Sequence, residues 1–100
     1  MADTLKIGQT DTLTAQYVDT FDDGHTETRA ANDATWGDDN AAVASADTTS
    51  GPSITVTAVA SGVATFTASG TDTQGNAIAS APFEVDVAAP VVTGTTITVS

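Results

Sequence analysis

Polar and apolar residues alternate most regularly in residues 54–68, which read Ile54-Thr55-Val56-Thr57-Ala58-Val59-Ala60-Ser61-Gly62-Val63-Ala64-Thr65-Phe66-Thr67-Ala68. Successive side chains of a β-strand point to opposite faces, so this period of two places the apolar residues on one face and the threonines on the other. The branched Cβ of threonine also suits a pleated, half-buried surface. Ser61-Gly62 interrupts the pattern once, and the segment therefore predicts two strands.

The same short alternating runs recur along the chain, and turn residues separate them. Residues 13–17 and 83–87 alternate in the same way, while Asp22-Asp23-Gly24 and Gln74-Gly75-Asn76 predict tight turns. Residues 26–34 are polar and give only a partial strand signal. Many short strands separated by turns indicate an all-β sandwich. The predicted core consists of Leu13, Tyr17, Trp36, Val43, Ile54, Val56, Phe66, Phe83 and Val85.

Composition limits the classes of partner. The chain has 100 residues, which suits one domain, and a net charge of −11 with Lys6 and Arg29 as its fixed cations. Binding to a nucleic-acid backbone or to an anionic membrane needs clustered Lys and Arg, so neither partner is expected. Cysteine is absent, which excludes disulfides, thiolate metal sites and thiol nucleophiles.

Four segments, taken together and in order, resemble the bacterial immunoglobulin-like domains of group 2. They are Leu5-Lys6-Ile7-Gly8-Gln9-Thr10 with Leu13-Thr14-Ala15-Gln16-Tyr17, then Phe21-Asp22-Asp23-Gly24-His25-Thr26, then Ala34-Thr35-Trp36-Gly37-Asp38-Asp39-Asn40-Ala41-Ala42-Val43-Ala44, and finally Ala60-Ser61-Gly62-Val63-Ala64-Thr65-Phe66-Thr67-Ala68. The family has serines where Gly37 and Asp38-Asp39 stand here, and its following turn is shorter than residues 48–52.

The resemblance implies a Greek-key immunoglobulin-like sandwich of about seven short strands over residues 1–87. It also implies a setting in tailed-phage virions or in bacterial surface adhesins, and it implies no catalytic residue. Fold analogy alone is a weak argument for function.

Candidate chemical sites are few. His25 is the single histidine and lies in a predicted turn beside two carboxylates, where an exposed turn residue is a better interpretation than a catalytic base. No enzyme and no cofactor are therefore expected. Clustered oxygen ligands make weak Ca²⁺ binding conceivable, although solvated turn residues are the preferred interpretation. The weak calcium candidates are Asp19, Asp22, Asp23, Asp38 and Asp39.

The C-terminal residues 88–100 predict a linker followed by an extra strand at Thr96, Ile97, Thr98 and Val99. Family members begin with such a strand, for which the N-terminus here leaves no room. The extra strand could start a further repeat, fold back onto its own sandwich, or pair as an arm with the edge of another copy or partner. The arm is slightly favoured, because unpaired strand edges usually need a partner.

Three functions follow as hypotheses. The first is a virion accessory protein, such as a capsid-decoration or tail-associated subunit, which fits a short acidic chain with its own Met1, no export signal and a docking arm. The second is one repeat of a bacterial adhesin, on the cell surface or secreted. The third is a carbohydrate-binding sandwich, for which exposed aromatic residues are scarce. The expected partner is a protein, either a capsid, a tail or neighbouring copies in a homo-oligomer or a tandem array.

Overall fold

The computed structural model describes residues 2–100, and the only regular elements in that range are β-strands. The predicted all-β class is confirmed. No helix of the described residues is long and apolar enough to cross a membrane. The strands are β1 (Ala2–Lys6), β2 (Thr10–Thr14), β3 (Gln16–Thr20), β4 (Thr26–Ala30), β5 (Thr35–Asp38), β6 (Ala44–Ala46), β7 (Ser53–Ala58), β8 (Gly62–Thr71), β9 (Ala77–Ala79) and β10 (Phe83–Ala88).

The structure has ten strands where about seven were expected. Two of the additional strands arise because a continuous extended run is divided. The run around Ala15 divides into β2, which pairs with β7, and β3, which pairs with β4. The run that follows Gly75 divides at residues 80–82, where Pro82 has no N–H to donate to a neighbouring strand.

The strands form three pairing groups. The largest sheet has the order β1-β10-β8-β5, and β9 also pairs with β8; a second sheet has the order β2-β7-β6, and β3 pairs with β4 alone. Strand β1 runs parallel to β10, whereas every other pairing is antiparallel. The turns at Gly24 (φ 91°) and Gly75 (φ 84°) have the left-handed backbone that glycine adopts most readily.

The main core lies between the first and second sheets, as expected for two sheets packed face to face. Its buried side chains are Leu5, Leu13, Val43, Ala44, Ile54, Val56, Ala58, Ala64, Phe66, Val85 and Val87. Two of the predicted core residues, Trp36 and Phe83, are only partly buried at its margin. Tyr17 is buried in a separate small cluster with Ala31 and Ala34. Of the described alanines, Ala31, Ala34, Ala44, Ala58, Ala64 and Ala68 are buried, and most of the others are exposed.

Within the segment 34–44 that resembles the family, residues 41–43 form a turn. The Val43 and Ala44 N–H groups donate to the carbonyl oxygen of Asn40 there, and β6 begins only at Ala44. Residues 89–100 have no secondary structure, so the strand predicted at Thr96, Ile97, Thr98 and Val99 does not form within the single chain. A single chain thus leaves this segment unpaired, and it does not fold back onto its own sandwich.

Candidate interaction surface

The C-terminal segment from residue 89 to residue 100 is fully exposed and carries no charged side chain. Its apolar residues are almost as open as in an unfolded chain, with exposed fractions of 83% for Val91, 93% for Ile97 and 94% for Val99. The last of these alternate with threonines, a pattern that suits a strand with one apolar face. The segment therefore has the sequence of a strand but no pairing partner among residues 2–100.

The second sheet has a free edge at β2. The Ala15 N–H donates to the Pro52 carbonyl oxygen (2.7 Å), and the Gln9 carbonyl oxygen accepts from the Ala58 N–H (2.9 Å). Backbone groups alternate along an antiparallel strand, so the N–H and C=O groups of Thr10, Thr12 and Thr14 point away from β7. No strand of residues 2–100 pairs with that side of β2.

An open groove runs along this edge, and we call it the edge groove. Its walls are β2 and β3 on one side and β9 and β10 on the other. The lower part has a volume of about 320 Å³ and is lined by Trp36, Phe66 and Phe83 among others. Phe66 and Ala68 form its floor, since they are buried core residues, whereas the partly buried Trp36 presents an accessible surface to it.

The upper part of the edge groove has a volume of about 390 Å³ and lies between β3 and β9. Val18 and Ile78 on its rim are exposed by 61% and 43%. The two parts share Thr14, Ala15, Ala68 and Ser80, so they form one continuous trough. Most of its lining is alanine, valine or aromatic, which makes it an apolar surface beside an unpaired strand edge.

Tyr17 fixes the position of the upper wall. Its hydroxyl lies in a short hydrogen bond with Asp33 and accepts the Thr71 N–H at 3.0 Å, and the Thr71 hydroxyl donates to the second Asp33 oxygen at 2.9 Å. The hydrogen bond to Asp33 raises the pKa of Tyr17, and the same bond lowers the pKa of Asp33. This network attaches the β3–β4 hairpin to the end of β8.

A cation reinforces the same attachment. The Arg29 guanidinium carbon lies 4.4 Å from the centre of the Tyr17 ring, and its Nε donates to Asp19 at 2.7 Å. The hydrogen bond from Arg29 lowers the pKa of Asp19. Both side chains are partly exposed, so the ion pair contributes little to stability, and its main effect is to orient the hairpin.

His25 lies at the tip of that hairpin, where its ring stacks on Phe21 with centroids 4.4 Å apart. Its Nδ1 lies in a short contact with Asp23, and its Nε2 lies 3.2 Å from Glu27. Hydrogen bonds from His25, first its backbone N–H, lower the pKa of Asp23. The partners of His25 are therefore carboxylates on an exposed turn, and no hydroxyl of the described chain donates to it.

The calcium candidates are not brought together. Asp19 faces Arg29 and Asp23 faces His25, whereas Asp38 accepts the Asn40 N–H (2.9 Å) and Asp39 accepts the Thr65 N–H (2.7 Å). Desolvation raises the pKa of Asp38, and its Oδ2 is buried without a partner among the described atoms. No three acidic or histidine side chains within residues 2–100 lie close enough to hold a metal ion.

No protein-family model matches this chain, and no curated protein and no solved structure does so either. The edge groove and the Tyr17 network were not foreseen from the sequence. Alternation along Leu13 to Tyr17 was visible, but a free strand edge is a property of pairing and has no local sequence signal.

Proposed function

We propose that this chain is a non-enzymatic structural module that assembles with another protein through its C-terminal arm, which consists of Thr96, Ile97, Thr98 and Val99. The single observation that carries the proposal is the exposure of Ile97 and Val99, which leaves a strand-like apolar segment without a partner. Exposed apolar side chains are ordinary when scattered, but an alternating pair on one extended segment suits strand addition to a protein edge.

The proposed setting is a virion, with the chain as a capsid-decoration or tail-associated subunit of the immunoglobulin-like type. A net charge of −11 keeps such a subunit soluble at high concentration and keeps free copies apart. The uncharged arm is then the part of the chain that approaches a neighbouring protein without electrostatic repulsion. Under this proposal the partner is a protein and not a nucleic acid or a membrane.

A second candidate function is one repeat of a bacterial surface adhesin. It is favoured by the position of the arm, which follows β10 directly through residues 89–94 and would supply a strand to the next repeat. The two candidates differ in the natural reading frame. Further repeats encoded after Ser100 would support the adhesin, and a frame that ends there among capsid or tail genes would support the virion subunit.

The direct test is incorporation into particles. Two double variants of the chain are supplied during virion production, one with Ile97→Ser and Val99→Ser and the other with Val91→Ser and Val92→Ser. The virions are then purified from the source that encodes this chain, and mass spectrometry measures which form they contain. Both double variants replace two exposed apolar residues with serine, so they are matched in exposure and composition.

We expect the unchanged chain and the Val91/Val92 variant in the particles, and we expect the Ile97/Val99 variant to be lost. Absence of the unchanged chain from purified particles contradicts the virion proposal. Equal incorporation of both double variants contradicts the role of the arm.

A further inference from the structure

We propose that the edge groove is the receptor for the arm, and that residues 95–100 of a second copy add to β2 there as an antiparallel strand. The inference rests on the proposed docking function of the arm and names its partner surface. Its first support is the free edge itself, at which Thr10, Thr12 and Thr14 present backbone donors and acceptors to one side. Of these three N–H groups, only that of Thr12 has a hydrogen-bond acceptor in its own chain, the Asp11 Oδ1 at 2.9 Å.

The length of the arm suits the length of β2. Strand β2 has five residues and the arm segment 95–100 has six, so at about 3.3 Å per residue they span about 17 Å and about 20 Å. The period of two places Ile97 and Val99 on one face of an added strand. That face packs on Trp36 and Phe83, which the single chain leaves partly exposed, and the threonines of the arm then lie beside those of β2. Cross-strand threonine pairs of this kind are favourable.

Other strand edges of the described chain are less suitable. Strand β4 carries Glu27 and Arg29, and β1 carries Asp3 and Lys6, and charged side chains discourage strand addition. The outer edge of β5 is covered by the β6–β7 loop, where the Trp36 N–H donates to the Thr49 carbonyl oxygen at 2.8 Å. Strand β6 is only three residues long. The exposed residues of β2 are threonines, and its one charged residue, Asp11, is partly buried and occupies only the Thr12 N–H.

Local charge selects this segment of a second copy, although the net charge of −11 opposes association of two copies. Most surface segments would bring Asp or Glu side chains to a neighbour. Residues 89–100 contain no charged side chain, whereas the edge groove contains Asp3. An uncharged strand can therefore enter the groove without pairing like charges in a partly desolvated site.

Strand direction indicates a second copy. Strands β1 and β10 run side by side in parallel and end together at Lys6 and Ala88, and β2 begins at that same end after the turn at Gly8. The arm of the same chain would therefore enter the groove parallel to β2. To run antiparallel, residues 89–94 would have to span the length of β2, about 17 Å, and then reverse, which leaves only about 3 Å of their extended reach for the reversal. A second copy has no such constraint, and antiparallel pairs are the more stable.

The test uses the absence of cysteine in this chain. Thr98→Cys in one preparation is mixed with Thr12→Cys in another, under mild oxidation, and the control mixture pairs Thr98→Cys with Thr28→Cys. Thr12 and Thr28 are both exposed threonines on edge strands. We expect a disulfide-linked heterodimer at least about tenfold more abundant in the first mixture, because only there do the two thiols meet.

A second test blocks the receptor edge. Thr12→Pro removes an outward N–H and adds a ring at the edge of β2. Thr28→Pro makes the same change on β4 and is the control. The hydrogen bond from the Phe21 N–H to the His25 carbonyl oxygen sets the alternation that places the Thr28 N–H outward. Sedimentation equilibrium of the full chain measures self-association, Trp36 fluorescence reports filling of the groove, and circular dichroism checks the fold. We expect Thr12→Pro and the Ile97/Val99 double variant to weaken dimer affinity by about tenfold or more and Thr28→Pro to leave it unchanged.

The outcomes separate the two proposals. One set of results overturns the edge groove as the receptor and leaves the docking arm intact. In that set, the arm variant is lost from particles, Thr12→Pro self-associates normally, and neither cysteine mixture gives a preferred disulfide. A chain that stays monomeric at all concentrations overturns the second copy as occupant. Intramolecular disulfides in a chain carrying both Thr12→Cys and Thr98→Cys, without any intermolecular product, would assign the groove to the chain's own arm.

Discussion

Tyr17 is the residue on which the upper wall of the edge groove depends. Its ring lies directly over Gly70 of β8, and its hydroxyl joins Asp33 to Thr71. A Cβ at position 70 would meet the Tyr17 ring, with the Cζ atom only 2.9 Å away. Glycine is therefore required at position 70, because the Tyr17 ring packs directly on the backbone of β8. This contact holds the β3–β4 hairpin against β8.

Gly70→Ala should loosen that attachment. The added methyl group forces the Tyr17 ring to move, and overpacking of this kind costs about 1–3 kcal/mol. Gly37→Ala is the matched control, since a Cβ there has its nearest neighbour at 3.9 Å. Urea unfolding measures the free energy of both variants, and hydrogen exchange of residues 16–30 reports the hairpin. Equal stability of the two variants would mean that Tyr17 is not packed as described.

Acid should release the same network. Hydrogen bonds from Tyr17 and Thr71 hold the pKa of Asp33 below its ordinary value, so the unfolded chain binds this proton first as the pH falls. The stability that Asp33 contributes is present at neutral pH and is lost below about pH 4. Asp33→Asn removes the titration; its one amide oxygen can accept from the Tyr17 hydroxyl, while its NH2 group can only donate to the Thr71 hydroxyl oxygen. The variant should reduce the loss of stability between pH 7 and pH 3 in urea unfolding.

Asp86→Asn on β10 is the control for that measurement, because it removes one carboxylate without touching the network. A pH dependence that Asp33→Asn and Asp86→Asn change to the same extent would show that overall charge, and not the Asp33 hydrogen bonds, governs acid sensitivity.

At the scale of elements, the division of the last hairpin strand into β9 and β10 shapes the groove. The Ser80 N–H donates to the Ala68 carbonyl oxygen at 2.8 Å, while its hydroxyl oxygen accepts the Ala68 N–H at 3.0 Å. The Ser80 hydroxyl thus takes the place of a backbone carbonyl as the acceptor for the Ala68 N–H, at the point where the strand is interrupted. The interruption lies at residues 80–82, and Ser80 and Ala81 contribute to the groove wall opposite β2.

Ser80→Ala should therefore destabilise the domain. It leaves the partly buried Ala68 N–H without its acceptor, which costs about 1–3 kcal/mol. Ser61→Ala in the exposed turn before β8 makes the same chemical change without such a bond, and it should fall within about 0.5 kcal/mol of the unchanged chain. Thermal and urea unfolding compare the two, and similar values would contradict the structural role of the Ser80 hydroxyl.

The whole molecule combines strong acidity with one uncharged segment. Free copies with a charge of −11 repel each other, and the contact proposed between arm and groove contains no ion pair. Self-association should therefore strengthen as salt screens the repulsion. We expect the dimer dissociation constant to fall by several-fold between about 50 and 500 mM NaCl in sedimentation equilibrium. A constant that rises with salt would indicate that ion pairs carry the contact instead.

Local alternation determined the strand content of this protein before any pairing was known. Ile54 to Ala68 alternates because one face of each strand is buried, and the turns at Gly24 and Gly75 follow from the backbone that only those residues adopt easily. Composition likewise determined the net charge and the classes of partner it disfavours. These features depend on residues close together in sequence, so the sequence expresses them directly.

Tertiary structure alone decided which edges are paired and which are free. The partners of Thr12 and of Ile97 depend on segments far away in the chain, and a period of two is the same for a paired strand, a free edge and an unpaired arm. The sequence predicted a strand at residues 96–99, whereas the fold leaves that segment without a neighbour and leaves β2 with an open side. Pairing is a long-range property, and for that reason the groove became visible only in three dimensions.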